Sequence, residues 1–299
     1  MGLILIAGKP KQNMQHIAEL NMDQKIFEVK DVNYSCLGKF PALSGVNLEI
    51  RARERISVLG ANGSGKSSLL HMLNGLVFPE KGEVRFLGRL LSEDVLRNEE
   101  FNSLFRRTVG LVFQNSDIQL FSPTVRDEIA FGPIQLGLSK EEMEERVNDL
   151  LGMLNIQHLS DRPPYQLSGG EKKKVAIASS LAVNPDVLLL DEPTSGLDPK
   201  TQSWLVDLLE ELHRAGKTIV TATHDLNIVD RISDRTIVLG EDHTIAATGR
   251  TSEILDDTPL LLSVNLIHEH LHCHGGDIHV HEHGHFSEHD HMHRNKGIR

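Results

Sequence analysis

Gly60-Ala61-Asn62-Gly63-Ser64-Gly65-Lys66-Ser67 is a Gly-x4-Gly-Lys-Ser phosphate loop, and the residues around it supply the setting it needs. Residues 55–59 (RISVL) are apolar and rich in β-branched side chains, the pattern of a buried strand. Residues 67–73 (SSLLHML) follow as good helix-forming sequence. Between strand and helix, glycines let consecutive backbone N–H groups turn inward toward phosphate oxygens, and the helix N-terminus adds partial positive charge. Lys66 supplies a full charge for the β- and γ-phosphates, and the Ser67 hydroxyl suits Mg²⁺. A plain glycine turn would not require Lys-Ser at this offset. A dinucleotide fold would require a third glycine where Lys66, Ser67 and Ser68 stand.

With 299 residues and 39% hydrophobic content, the chain can hold one large domain with appendages or two modest ones. No apolar run approaches the ~18–20 residues that cross a bilayer. The opening GLILIA is too short for a secretory leader and lacks a charged region before it. A cytoplasmic chain is expected, so Cys36 and Cys273 are read as unpaired thiols. A formal charge of −11 disfavours nucleic acid as a partner. The one dense basic run, Lys172-Lys173-Lys174, reads as a solvated or partner-facing helix turn.

Residues 1–24 show no strong periodicity and form an arm. Alternating segments at 26–32 and 45–50 predict an antiparallel β edge feeding a central sheet, with Tyr34 between them as a candidate for stacking on a base. Residues 82–87 and 108–113 read as further strands, and 97–106 as a polar helix. Gln114 leaves the end of a buried strand, where α/β proteins place ligand groups. Thr124 with Asp127, and Ser139 with Glu142, open helices as capping boxes; Pro133 limits the first and Leu154 ends the second. Leu167-Ser168-Gly169-Gly170-Glu171 begins another helix and offers a second anion site. The apolar strand 187–190 ends in Asp191-Glu192-Pro193, and a phosphate-loop protein needs a carboxylate for Mg²⁺ at this place. Asp198 turns the chain into a helix reaching Arg214, His224 sits at the tip of strand 218–223, and 237–239 closes the sheet.

Phosphate loop, LSGGE, LLLDEP, SGLD and TATHD occur here in the order and spacing of the nucleotide-binding subunits of ABC transporters, which residues 26–239 and beyond resemble. The resemblance implies an α/β fold: a P-loop NTPase with an ABC-type antiparallel β subdomain, a parallel core sheet and an inserted helical subdomain at about 114–178. The ATPase domain would span 25–246, followed by an extension at 247–267 and the histidine tail. It implies two subunits, identical or paralogous, closing head to tail over two ATP molecules. Gly60, Asn62, Gly63, Ser64, Gly65, Lys66, Ser67 and Ser68 would hold one ATP, with Tyr34 on its adenine. Ser168, Gly169 and Gly170 of the opposite subunit would cover the γ-phosphate, and Asp198 would lie at the boundary. Mg²⁺ would be held by Ser67, Gln114 and Asp191; Glu192 would be the general base, with His224 on the γ-phosphate and Gln114 beside the water. Such a subunit sits on the cytoplasmic face of the membrane and drives integral membrane transport subunits. The stretch VFQNSDIQLFSPTVRDEIAFGP resembles energy-coupling factor importers, especially their cobalt and nickel branch, although Ser116 and Ile118 depart from the residues usual there. Vitamin uptake by the same engine is the nearest alternative, and a soluble ABC protein acting on nucleic acid or the ribosome the more distant one.

Eleven of the 17 histidines lie between His268 and His293. His268, His270, His272, His274, His279, His281, His283 and His285 alternate with other residues, among them Cys273 and several acids. Imidazole favours Ni²⁺, Co²⁺, Cu²⁺ or Zn²⁺ over Mg²⁺. Residues 268–299 are therefore expected to be a disordered tail that binds a transition metal.

Overall fold

The computed structural model describes residues 24–274 and 277–284. The chain opens with two long antiparallel strands, β1 (Lys25–Cys36) and β2 (Phe40–Arg51), then β3 (Arg55–Leu59) and helix α1 (Lys66–Leu73). Strands β4 (Lys81–Phe86) and β5 (Arg89–Leu90) return to β1, giving a four-stranded antiparallel sheet in the order β2-β1-β4-β5. Helices α2 (Glu93–Leu96) and α3 (Glu99–Thr108) lead to β6 (Val109–Val112). Next come α4 (Val125–Gln135), α5 (Lys140–Met153) and α6 (Gly169–Leu181), which make up the helical insert. The core resumes with β7 (Val187–Asp191), α7 (Pro199–Arg214), β8 (Thr218–Thr223), α8 (Leu226–Ile232) and β9 (Arg235–Leu239). Strand β10 (Ile245–Arg250) and helices α9 (Thr251–Leu255) and α10 (Thr258–Ser263) follow, and a hairpin of β11 (Ile267–His274) and β12 (Asp277–Gly284) comes last.

The central sheet runs β10-β9-β3-β8-β7-β6, parallel except for β10. Both faces of its parallel part are covered, so β6, β7 and β8 are buried at every position. Residues of β7 alternate between two cores. Val187 and Leu189 join a cluster with α1 and the antiparallel sheet, whereas Leu188 and Leu190 join one with the helical insert and α7. This split holds the nucleotide side and the insert on opposite faces of one wall.

Several expectations need correction. The sheet does not close at Leu239: β10 pairs antiparallel with β9 and crosses the expected boundary at 246. Its sequence, IAATGR, alternates in burial but carries little apolar bulk, so it reads weakly as a strand. Residues 247–267 are not an appendage, because Ile254, Leu261, Val264, Leu266 and Ile267 pack with Leu59, Val229 and Val238. Helix α6 runs to Leu181, past the expected edge of the insert at 178. Pro133 does not stop α4, which ends at Gln135. Placed in the last turn, a proline removes one hydrogen bond with little helix left to lose. The capping boxes at Ser139/Glu142 and Ser168/Glu171 both form; Thr124 caps α4 alone, through Asp127.

Ile267–Gly284 also differs from expectation, forming paired strands where disorder was anticipated. Strict alternation of histidine with Leu271, Cys273, Ile278 and Val280 is a strand period. His285 and the rest of the tail, and residues 1–23 of the expected arm, lie outside the described residues.

Candidate nucleotide site

Strand β3 delivers the phosphate loop at the carboxyl end of the parallel sheet, where open α/β sheets bind ligands. Two glycines are sterically required there. Gly65 has φ +108°, and a Cβ on it would lie 2.0 Å from the Ala42 carbonyl oxygen. A Cβ on Gly60 would lie 2.4 Å from Ser64 Oγ and 2.7 Å from the Leu239 carbonyl oxygen. The loop is thus braced on one side by β2 and on the other by β9.

A cavity of about 510 Å³ opens over the loop, lined by Cys36, Phe40, Pro41, Ala42, Asn62, Gly63, Gly65, Lys66, Ser67, Ser68, Gln114 and Glu192. Lys66 is almost fully buried and donates to the carbonyls of Gly60 (2.8 Å) and Ala61 (3.1 Å). Its Nζ stands 3.3 Å from Glu192 Oε1, which in turn lies 2.8 Å from His224 Nδ1. Glu192 is buried and takes a left-handed backbone, φ 42°, at the tip of β7, uncommon for a non-glycine residue. Its N–H donates to the Ala222 carbonyl on β8, which fixes the acid beside the strand that carries His224. Lysine, glutamate and histidine from three separate motifs therefore converge in one network, with Lys66 and Glu192 buried and His224 half-buried.

Asp191 is buried, and burial pushes its carboxyl above the usual aspartate range, opposed by the hydrogen bond from Ser67. Its Oδ1 has no hydrogen-bond partner among the described residues. A buried carboxylate oxygen left open beside a serine hydroxyl is an oxygen donor set of the kind Mg²⁺ takes. The residues present fit the ion.

The other expected site residues fall elsewhere. Ser168 caps α6, with Glu171 Oε2 accepting from its N–H and its hydroxyl, both at 2.8 Å. Neither it nor Gly169 nor Gly170 lines the cavity over this chain's own loop. Asp198 caps α7: Oδ1 accepts from the N–H groups of Lys200 (3.0 Å) and Thr201 (3.1 Å), and Oδ2 from the Thr201 hydroxyl (2.6 Å). These bonds hold its carboxyl below the ordinary aspartate range.

Tyr34 is half-buried against the antiparallel-sheet core and does not line the cavity. The aromatic at the mouth is Phe40, 64% exposed, opposite Cys36 in the β1–β2 register. Residue 40 falls between the segments at 26–32 and 45–50 expected as strands, so no pattern in the sequence marks it. Its exposure is the only signal that separates it from core phenylalanines such as Phe27 and Phe86.

The lysine run is not a basic patch. Lys172 pairs with Asp117 at 2.6 Å, and Lys174 Nζ lies 4.7 Å from the centre of the Trp204 ring. Lys173 is buried and donates to the carbonyls of Phe113 (3.1 Å) and Gln114 (2.9 Å). Burial lowers its pKa to about 8, with Asp191 acting in the opposite direction.

Residues 43–195 match the family model described as ABC transporter. A putative ABC transporter ATP-binding protein of Methanosarcina acetivorans is 53% identical over 253 residues, 84% of this chain and 92% of the relative. The chain belongs to the ABC transporter family. As an ABC ATPase it couples ATP hydrolysis to transport and uses Mg²⁺ with the nucleotide. The nickel import ATP-binding protein NikO of Rhodobacter capsulatus is 45% identical over 244 residues, 81% of this chain and 95% of that one. CbiO1 of Clostridium perfringens, part of the ABC transporter complex cbiONQ, superposes with a TM-score of 0.69 at 36% identity, covering 82% of this ABC ATPase and 96% of that chain. Among the described residues no helix is long and apolar enough to cross a membrane.

Proposed function

We propose that this ABC ATPase powers import of a divalent transition metal, cobalt or nickel, through separate integral membrane subunits. The observation that carries the ATPase part is the Lys66–Glu192–His224 network at the mouth of the phosphate loop. Similarity to a nickel import ATP-binding protein over most of both chains supports the cargo. In this reading two copies, or one copy and a paralogue, pair so that Ser168, Gly169 and Gly170 of one cover the nucleotide of the other. The absence of those three residues from the cavity of a single chain supports pairing.

ATP phosphates entering the cavity offer Lys66 Nζ stronger acceptors than the two loop carbonyls it now holds. As Lys66 turns to them, Glu192 keeps its bond to His224 and faces the attacking water. Glu192 takes the proton from that water, and His224 orients the carboxylate and reaches the γ-phosphate. Ser67 and Asp191, with Gln114 nearby, would hold Mg²⁺, which supplies positive charge to the β- and γ-phosphate oxygens. Hydrolysis removes the bridging phosphate and with it the preference for the closed pair. The helical insert would pass that change to the membrane subunits.

Phe40, in place of Tyr34, would stack on the adenine. Phe40→Ala is expected to weaken ATP binding about tenfold, the value of roughly 1.4 kcal/mol of base–aromatic stacking. Tyr34→Ala is expected to lower thermal stability and leave nucleotide affinity nearly unchanged. Calorimetric titration with a non-hydrolysable nucleotide separates the two; reversed effects would restore Tyr34 to the base.

The cargo is tested by purifying the assembled complex from membranes and measuring ATP turnover in liposomes. Stimulation by Ni²⁺ or Co²⁺ is the expected result. Stimulation only with a vitamin-binding subunit and its vitamin would overturn the metal reading.

A further inference from the structure

The hairpin register arranges the tail histidines in pairs. His268 stands opposite His283, His270 opposite His281, and His272 opposite His279. Alternate positions of a strand share a face, so these six histidines occupy one face of the ribbon. Leu271 opposite Val280 and Cys273 opposite Ile278 occupy the other. We infer that this histidine face is a transition-metal site, a ladder of cross-strand imidazole pairs taking Ni²⁺, Co²⁺, Cu²⁺ or Zn²⁺.

Directly opposed residues in an antiparallel pair have Cβ atoms about 4.5–5.5 Å apart. Imidazole nitrogens bind such ions at about 2.0–2.1 Å, so two residues at that spacing can share one ion. Successive pairs lie roughly 7 Å apart along the ribbon, two residues at about 3.4 Å each. Neighbouring pairs can therefore complete a four-nitrogen set, which nickel, copper and zinc accept and magnesium does not. A lone two-stranded ribbon is marginal in water, and an ion shared across the strands would tie them together. The first strand of the ribbon begins at Ile267, which with Leu266 packs in the cluster that includes Leu59, the last residue before the phosphate loop. The ladder is thus anchored to the nucleotide domain. Its binding does not depend on which solute the membrane subunits carry.

The test holds composition constant and moves one strand's histidines to the opposite face. The variant is His279→Val, Val280→His, His281→Glu, Glu282→His, His283→Gly and Gly284→His, which keeps every residue type and leaves no two histidines opposed. Full-length protein is dialysed to equilibrium against Ni²⁺, and separately Zn²⁺, in excess Mg²⁺. The native chain should retain the ion, and the variant should bind it about tenfold or more weakly, because the pairs are no longer preplaced. Removing residues 268–299 should abolish retention, whereas replacing His289, His291 and His293 with alanine should leave it in place. Equal isotherms for native and variant protein would show that histidine content alone accounts for binding and would overturn the ladder, as would no retention of either ion over Mg²⁺. ATP turnover of the membrane complex is read separately, so failure of this site and failure of the metal-import reading give different results.

Discussion

Glu192→Gln is expected to keep ATP binding while slowing hydrolysis by about 10²–10⁴-fold, the usual size of a general-base contribution. The substitution keeps size and hydrogen-bonding capacity beside His224 but removes the oxygen that can take a proton from water. It also removes a buried negative charge 3.3 Å from Lys66 Nζ. With that competitor gone, Lys66 is freer to engage phosphate, so nucleotide affinity should hold or rise. Single-turnover hydrolysis and calorimetric titration on the same preparation distinguish the two effects. Undiminished turnover would assign the proton to another group.

Lys66→Ala is expected to fail at the earlier step. Charge-assisted hydrogen bonds contribute roughly 1.5–3 kcal/mol each, so losing one or two to phosphate should weaken ATP binding about 10²-fold. The side chain also ties the Gly60 and Ala61 carbonyls together and faces buried Glu192. Its removal leaves a buried carboxylate with His224 as its remaining close partner, which costs stability as well. A thermal melt run beside the titration shows whether the protein is folded where binding is measured. Lys66→Met together with Glu192→Gln removes both charges and should recover stability without recovering affinity. A tight nucleotide complex in either lysine variant would remove Lys66 from the phosphate site.

The parts of the fold most legible in the sequence were those with one dominant cause. Strand β3, helix α7 and strand β8 have the ranges that the sequence suggests, because each pairs a strong pattern with a clear stop. The convergence of Lys66, Glu192 and His224 followed from the motifs as a set, though no single motif shows that one carboxylate oxygen contacts both partners. What stayed illegible depended on neighbours distant in sequence. Lys173 looks no different from Lys172 or Lys174 until the fold brings the carbonyls of Phe113 and Gln114 to it. Phe40 lines the cavity and Tyr34 does not, a placement set by the β1–β2 register, which shifts on both sides of Tyr34 and which no local pattern announces. Strand β10 is held by its place beside β9 more than by propensity. The histidine ribbon shows the opposite case, where dense polarity suggested disorder and the alternation, though visible, was not read as a strand period.

Lys173 sits little more than one helical turn from Ser168, at the start of the same helix, and its ammonium grips the consecutive carbonyls of Phe113 and Gln114. Helix and loop are pinned like two links sharing a rivet. A push on the serine-glycine end of α6 therefore has a direct route to the glutamine, through two hydrogen bonds on one ammonium.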